Sequence, residues 1–180
     1  MTRPLFKQLN PNSLLGLLLL MAGILATEQF VSASQGLQPN PELRFQLIDG
    51  RKLSLEDLSG RPVFITFWAT SCPSCVKEIP LLSRLYRELA PAGLEIIAVA
   101  MPYERPDFVL QMKNELAIPY PIALDLQGEA VKAFDVRFTP SSFLFDEHGH
   151  LINHYPGLVD LPQLKTAITS IVQRIATKEH

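Results

Sequence analysis

The chain has 180 residues, of which 47 % are hydrophobic and 19 % charged, and its formal net charge is −2. That length and composition fit one globular domain and exclude a fibrous or disordered chain. The charge is weak, and no basic run interleaves with aromatic residues. We therefore expect no nucleic acid among the partners.

The first 33 residues differ from the rest of the chain. Arg3 and Lys7 precede a run of apolar or small residues from Leu14 to Ala26, and Val31-Ser32-Ala33 follows. The run is shorter than the roughly 20 residues that a membrane-spanning helix needs. The pattern favours a cleaved signal peptide over residues 1–33, with an uncleaved signal anchor as the alternative. Both place the remainder in the periplasm or on the extracytoplasmic face of the inner membrane.

Residues 34–41 are polar, contain two prolines and predict a linker, and residues 42–180 predict one domain. Segment 63–69 is a continuous run dominated by β-branched and aromatic residues, and segment 94–100 is apolar except for Glu95, which is typical of strands buried on both faces. The helical periodicity between them predicts a parallel, right-handed crossover and an α/β fold. In chain order the predicted elements are a hairpin turning at Asp49-Gly50, strand 63–69, helix 76–90, strand 94–100, helix 106–117, strand 120–124, helix 128–134, strands 141–145 and 151–155, and helix 161–175.

The only two cysteines, Cys72 and Cys75, come directly after the first buried strand and at the start of a helix. One helical turn separates them by about 4.5 Å along the axis, and a disulfide needs Cα atoms roughly 4.4–6.8 Å apart. They close too small a loop to stabilise an exported domain, so their purpose is chemical. The helix N-terminus favours a thiolate at Cys72, and Cys75, one turn further in, is suited to resolve a mixed disulfide.

Metal and haem sites are the alternatives for this motif. A structural zinc site takes four ligands, and covalent haem attachment needs histidine after the second cysteine, where this chain has Val76. A second cysteine pair is absent from the sequence. We expect neither metal nor cofactor. The remaining candidate ligands are four histidines: His148, His150, His154 and His180.

Three separated motifs resemble the thioredoxin superfamily. The stretch VFITFWATSCPSCVKEIP resembles its active site, with Trp68 before the cysteines and Pro80 after them. FTPSSFLF resembles its cis-proline loop, and Gly157 matches a glycine that follows the last hairpin. The segment from AVAMPYERPDF through YPIALD resembles the helix–strand insertion of the exported TlpA/ResA/CcmG branch. The resemblance covers about residues 39–175 and implies a central mixed sheet flanked by helices, an N-terminal hairpin and this insertion.

The resemblance also implies roles for individual residues. Cys72 is then the nucleophile and Cys75 the resolving cysteine. Pro140, in a cis peptide bond, faces the disulfide and leaves the backbone of Thr139 free to pair with substrate. Trp68 belongs to the same substrate-binding surface, with packing against the active-site turn as the alternative.

Two positions depart from the family pattern. Thr66 stands where thioredoxin has a buried acid, so another group must accept the proton of Cys75. The branch often places a glutamate after the next strand, which makes Glu104 the candidate; a solvated carboxylate in a charged loop is the alternative. Ser71 replaces the usual tryptophan before the first cysteine, which weakens any inference about the recognised partner surface.

Together these features predict a cofactor-independent, monomeric thiol–disulfide oxidoreductase acting on protein thiols. The branch further implies a reductant recharged by a membrane electron donor of the DsbD type, with a role in cytochrome c maturation. Two alternatives stay open: a thiol peroxidase, and a copper chaperone using the cysteine pair with a histidine.

Overall fold

The computed structural model describes residues 40–178, so the predicted signal peptide and most of the predicted linker lie outside the described residues. No helix within residues 40–178 is long and apolar enough to cross a membrane. The strands are β1 (Arg44–Gln46), β2 (Lys52–Ser54), β3 (Val63–Trp68), β4 (Glu95–Ala100), β5 (Ile122–Leu124), β6 (Ser141–Phe145) and β7 (Leu151–Pro156). The α-helices are α1 (Pro73–Leu89), α2 (Pro106–Glu115), α3 (Glu129–Ala133) and α4 (Leu161–Lys178), and short 3-10 turns span Glu56–Leu58 and Ala90–Ala92.

Five strands form one mixed sheet in the order β5-β4-β3-β6-β7. β3, β4 and β5 run parallel, whereas β6 is antiparallel to both β3 and β7. The parallel β3–α1–β4 unit confirms that the predicted crossover joins parallel strands. β1 and β2 form the predicted hairpin, and a bridge between Leu47 and Ala123 joins it to β5 at the edge of the main sheet. The fold class, the hairpin and the helix–strand insertion are all as predicted.

β3 is buried along its whole length because both faces of the sheet are covered. Side chains alternate across a strand, so Phe64 and Trp68 join the core beneath α1 and α4, whereas Ile65 and Phe67 join the core beneath the hairpin and α3. Phe67 and Phe143 meet edge to face, with ring centroids 5.9 Å apart. This double burial holds the end of β3, and the turn that follows it, in one position.

Helix α1 begins at Pro73, three residues before the segment 76–90 whose helical periodicity predicted it. Cys72 is the N-cap residue and has extended backbone angles, and Pro73 takes the first helical position, where its missing N–H leaves no donor unpaired. The other predicted elements have the observed bounds or differ from them by at most three residues at their ends, where helices and strands commonly fray.

Candidate functional site

A disulfide joins Cys72 and Cys75 where β3 passes into α1. Their Cα atoms are 5.3 Å apart, within the range that the spacing predicted. The backbone N–H of Cys75 donates to Cys72 Sγ at 3.2 Å, and Ser74 Oγ lies 3.3 Å from the same sulfur. The start of the helix therefore directs hydrogen-bond donors at Cys72, as a thiolate there requires.

The two sulfurs differ in access. Cys72 is half-buried, whereas Cys75 is only 2 % exposed and belongs to the core beneath α1. A protein disulfide approaching from solvent can reach Cys72 but not Cys75. This difference supports Cys72 as the attacking sulfur and Cys75 as the resolving sulfur.

The loop before β6 lies at the same end of the sheet as the disulfide, because Ser141 pairs with Phe67 near the end of β3. The Thr139–Pro140 peptide bond is cis, as expected. The carbonyl of Pro140 accepts a hydrogen bond from the N–H of Gly157, which has a φ of 100° and follows β7. Among the described residues, neither the N–H nor the C=O of Thr139 has a hydrogen-bond partner. Its backbone is therefore available for a bound polypeptide.

Glu78, a residue that the sequence reasoning missed, is the buried carboxylate nearest to Cys75 along α1. It is 3 % exposed, and its Oε1 accepts the N–H of Val159 at 2.8 Å. Burial raises the pKa of Glu78, and the hydrogen bond from Val159 opposes that rise. Glu78 and Cys75 line one small cavity, together with Trp68, Thr66 and Tyr120. This arrangement suits a group that exchanges a proton with Cys75.

A signal for Glu78 was present in the sequence. It follows Cys75 by three residues, so the two side chains share one face of α1. The same face carries the apolar residues Ile79 and Leu82, both buried. A carboxylate at that position on an otherwise apolar face predicts burial, and a buried carboxylate near a cysteine is a candidate acid or base.

Thr66 stands where thioredoxin has a buried acid, and it makes a hydrogen bond between neutral side chains. It is 4 % exposed, and its hydroxyl accepts a hydrogen bond from Ser142 Oγ at 2.9 Å, across the β3–β6 pair. The polar atoms of this pair satisfy each other within the sheet. Thr66 therefore stabilises the site without supplying a proton acceptor.

Glu104 is buried, so the alternative of a solvated loop carboxylate is wrong. It is 8 % exposed and its Oε2 accepts a hydrogen bond from Thr70 Oγ1 at 2.6 Å. Thr70 lies two residues before Cys72, so Glu104 holds the turn between β3 and α1. Its role as a proton relay stays a prediction.

Trp68 ends β3 beneath the disulfide. It is 3 % exposed, and its carbonyl accepts the N–H of Met101. The burial favours packing against the active-site turn, and its contact with substrate stays a prediction. Ser71, by contrast, is exposed beside Cys72.

Of the four histidines that the sequence offered as metal ligands, two lie far from the disulfide, and His180 lies outside the described residues. His148 and His150 are in the β6–β7 turn, at the end of the sheet opposite the disulfide, because β6 runs antiparallel to β3. Their nearest acidic partners are Glu147 and Asp146, respectively. Within residues 40–178, no three histidine, cysteine or acidic side chains are grouped to hold a metal ion.

Comparison with known proteins relates this site to a family. A family model described as the AhpC/TSA family matches residues 37–154. The thiol–disulfide oxidoreductase ResA of Bacillus thuringiensis subsp. konkukian is 34 % identical over 124 residues, which are 69 % of this chain and 71 % of that protein. ResA of Bacillus subtilis is 30 % identical over 117 residues, 65 % of each chain.

Solved structures agree with the architecture. StoA from Bacillus subtilis matches with a TM-score of 0.62 and 25 % identity, over 71 % of this chain and 97 % of that one. A thiol:disulfide interchange protein from Chlorobium tepidum matches with a TM-score of 0.68 and 23 % identity, over 75 % and 96 % of the two chains, which shows the fold alone. The chain belongs to the AhpC/TSA family, as a thioredoxin-like thiol–disulfide oxidoreductase of the ResA type.

Proposed function

We propose that this oxidoreductase works as a reductant of protein disulfides in the cell envelope. The observation that carries the direction is the position of Glu78 beside Cys75. A thiolate at Cys75 would be buried next to a carboxyl group, and both burial and like charge disfavour it. A strong oxidant needs the opposite, since its reduced form must be stabilised. The surroundings of Cys75 therefore lack the thiolate stabilisation that a strong oxidant needs there, which supports a dithiol that donates electrons.

The proposed reaction begins with the reduced pair. The Cys72 thiolate attacks one sulfur of a substrate disulfide, so that a Cys72–substrate disulfide forms and the other substrate sulfur leaves as a thiolate, which takes a proton from water. Cys75 then gives its proton to Glu78 and attacks Cys72 Sγ. The Cys72–Cys75 disulfide forms, and the second substrate sulfur leaves as a thiolate that takes the proton held by Glu78. Two electrons pass from the enzyme to the substrate, which ends as two thiols.

The proposed setting rests on the N-terminal segment and on the relatives. The export pattern of residues 1–33 supports a periplasmic location or an anchor on the extracytoplasmic face of the inner membrane. Outside the cytoplasm a reductant must be recharged, and a membrane donor of the DsbD type fits that need. We propose in addition that the protein is monomeric and that it acts in cytochrome c maturation.

The reduction potential of the Cys72–Cys75 pair tests the direction. Related proteins span from about −270 mV for thioredoxin to about −120 mV for the oxidant DsbA. We expect a value near the thioredoxin end, measured by equilibrating the purified protein with glutathione or thioredoxin and quantifying the oxidised fraction. A potential near that of DsbA would contradict the reductant role and leave the exchange chemistry intact.

The two roles considered for Glu104 predict different results for a pair of variants. If Glu104 relays the proton of Cys75, Glu104→Gln changes the thiol titration of the reduced protein and Thr70→Val does not. If Glu104 only holds the turn before Cys72, Thr70→Val changes the titration and Glu104→Gln leaves it near that of the wild type, because the glutamine carbonyl can still accept the hydroxyl of Thr70. We expect the second result, with exchange slowed by about fivefold in Thr70→Val, equivalent to roughly 1 kcal/mol for one hydrogen bond. The thiol titration is measured as thiolate absorbance at 240 nm against pH. A change confined to Glu104→Gln would instead support Glu104 as the proton relay.

A further inference from the structure

The small cavity beside Cys75 and Glu78 is lined by two further side chains with polar groups, those of Trp68 and Tyr120. Both are buried, Trp68 at 3 % and Tyr120 at 1 % exposure. The indole Nε1 of Trp68 has no hydrogen-bond partner among residues 40–178. Since buried N–H groups are nearly always paired, this donor indicates that the cavity holds an acceptor for it.

Tyr120 is held against the cavity by its neighbours. It lies directly before β5, between Pro119 and Pro121, whose rings fix their own φ angles. The carbonyl of Pro121 accepts the N–H of Ala98 on β4 at 2.9 Å. The Tyr120 ring meets that of Tyr86 on α1 edge to face, with centroids 5.9 Å apart. The side chain therefore has little freedom to turn away from the cavity.

The Tyr120 hydroxyl remains a hydrogen-bond donor at neutral pH. Burial raises its pKa, the neighbouring hydroxyl of Ser83 opposes that rise, and the charge of Glu78 adds to it. A phenol with a raised pKa keeps its proton through the neutral range. The influence of Glu78 also shows that its carboxyl group and the Tyr120 hydroxyl are near enough to interact across the cavity.

The ionised form of Glu78 needs more donors than its direct contacts supply. A carboxylate has about four acceptor sites, and within residues 40–178 Glu78 accepts one hydrogen bond, from the N–H of Val159. In the same part of the chain, no lysine, arginine or histidine lines the cavity. Burying a carboxylate is costly unless hydrogen bonds compensate it. Further donors would therefore ease the acceptance of a proton from Cys75.

One water molecule would match both needs. The cavity has a volume of about 10 Å³, at the lower limit of what one water requires. A water there can accept from Trp68 Nε1–H and from the Tyr120 hydroxyl. Its own two hydrogens can then be donated to the Glu78 carboxylate and to Cys75 Sγ. Buried waters commonly make two to four such bonds.

We propose that Trp68 and Tyr120 hold one water molecule against Glu78 and thereby act as positioning residues for the resolving step. Through this water the two donors stabilise the ionised carboxyl group, which is the form that accepts the proton of Cys75. The inference rests on the proposed function, because it takes Glu78 as that acceptor. The water itself is neither consumed nor changed.

The titration of Glu78 in the oxidised full-length protein tests the contact without turnover. Carboxyl carbon resonances of carbon-13-labelled glutamate are followed by NMR against pH, and Glu78→Gln assigns the resonance. We expect Tyr120→Phe and Trp68→Phe each to raise the pKa of Glu78 by about 1, a tenfold loss in its ionisation constant. A high-resolution crystal structure should show one water within about 3 Å of Trp68 Nε1.

Tyr86→Phe is the matched control for Tyr120→Phe. It removes the same hydroxyl from the ring that meets Tyr120 edge to face, but burial and the charge of Glu95 raise the pKa of Tyr86, not the charge of Glu78. Tyr86 lines a separate cleft together with Glu95. We expect the pKa of Glu78 to keep its wild-type value in this variant.

The rate of the resolving step gives a second readout. In Tyr120→Phe its rise with pH should move to higher pH together with the pKa of Glu78, whereas a loss of packing alone would lower stability without moving the profile. In the double variant with Glu78→Gln, removal of the Tyr120 hydroxyl should have no further effect on this rate, because the group on which it acts is gone.

Three outcomes would overturn the inference: an unchanged pKa of Glu78 in Tyr120→Phe or Trp68→Phe, an equal shift in Tyr86→Phe, or a crystal structure without the water. The failure of the proposed function looks different. The titration of Glu78 would then respond as expected in the variants, but Glu78→Gln would keep the wild-type rate and pH profile of the resolving step.

Discussion

Cys72→Ser lowers the rate of disulfide exchange by at least about a thousandfold, because a serine hydroxyl cannot replace the attacking thiolate. Cys75→Ser stops the reaction one step later. In that variant Cys72, the accessible sulfur, still attacks the substrate, but the buried resolving thiol is missing. A mixed disulfide between Cys72 and the substrate should accumulate, and mass spectrometry of the non-reduced protein measures it.

The two cysteine variants serve as controls for each other. Both exchange sulfur for oxygen at one position, and both remove the same disulfide, so their stabilities should be similar. Circular dichroism spectra and melting temperatures would verify this. Retained exchange in Cys72→Ser, or an adduct on Cys75 in that variant, would show that the order of attack is reversed.

Glu78→Gln slows the resolving step by about a hundredfold, the lower end of the range for loss of a positioned general base. Glutamine has nearly the shape of glutamate and its carbonyl can still accept the N–H of Val159, but it cannot take a proton from Cys75. The first attack by Cys72 should be less affected. Stopped-flow kinetics with a peptide disulfide would separate formation of the mixed disulfide from its resolution.

The pH dependence gives a second readout for Glu78. Burial raises its pKa, so the carboxyl stays protonated above the ordinary range of glutamate. Only the ionised form can accept a proton, and the resolving rate of the wild-type protein should therefore rise with pH through this raised pKa. The variant should lose that rise. Glu115→Gln, at an exposed position that ends α2, is the control and should keep the wild-type profile.

The same shift has a consequence for stability. A folded-state pKa above the unfolded value means that the unfolded chain gives up the Glu78 proton more easily. The free energy of unfolding of the oxidised wild-type protein should therefore fall as pH rises from the ordinary glutamate range through the raised pKa. Glu78→Gln removes this loss. The free energy of unfolding of the variant, relative to that of the wild type, should therefore be higher at neutral pH than at acid pH. Urea unfolding of both proteins at several pH values measures this difference in free energy. A difference that does not change with pH would contradict the burial of the Glu78 carboxyl group.

The local features of the fold were predictable from the sequence. Residues 63–68 form a strand because they are β-branched, aromatic or apolar throughout, and α1 starts at Cys72-Pro73 because a cap and a proline suit a helix N-terminus. The hairpin turn was marked by Asp49-Gly50, and Gly50 has a φ of 88°. Each of these depends on residues within a few positions of each other, so local sequence suffices.

The roles of the carboxylates were harder to predict. Glu104 was selected from a family pattern, and the structure gives it a hydrogen bond to Thr70. Glu78 was overlooked because a glutamate on a helix is usually solvent-exposed. Its burial depends on Val159 and the start of α4, which lie about 80 residues further along the chain. No local pattern contains that contact.

The sequence by itself determined the redox pair: two cysteines one helical turn apart, after a buried strand, can form a disulfide whatever surrounds them. The tertiary structure decided which sulfur is accessible and which carboxyl group lies beside Cys75. The physical reason is that burial and proximity between distant segments arise from the packing of the β6–β7 hairpin and α4 against β3 and α1, and the same packing sets the proton affinity of Glu78.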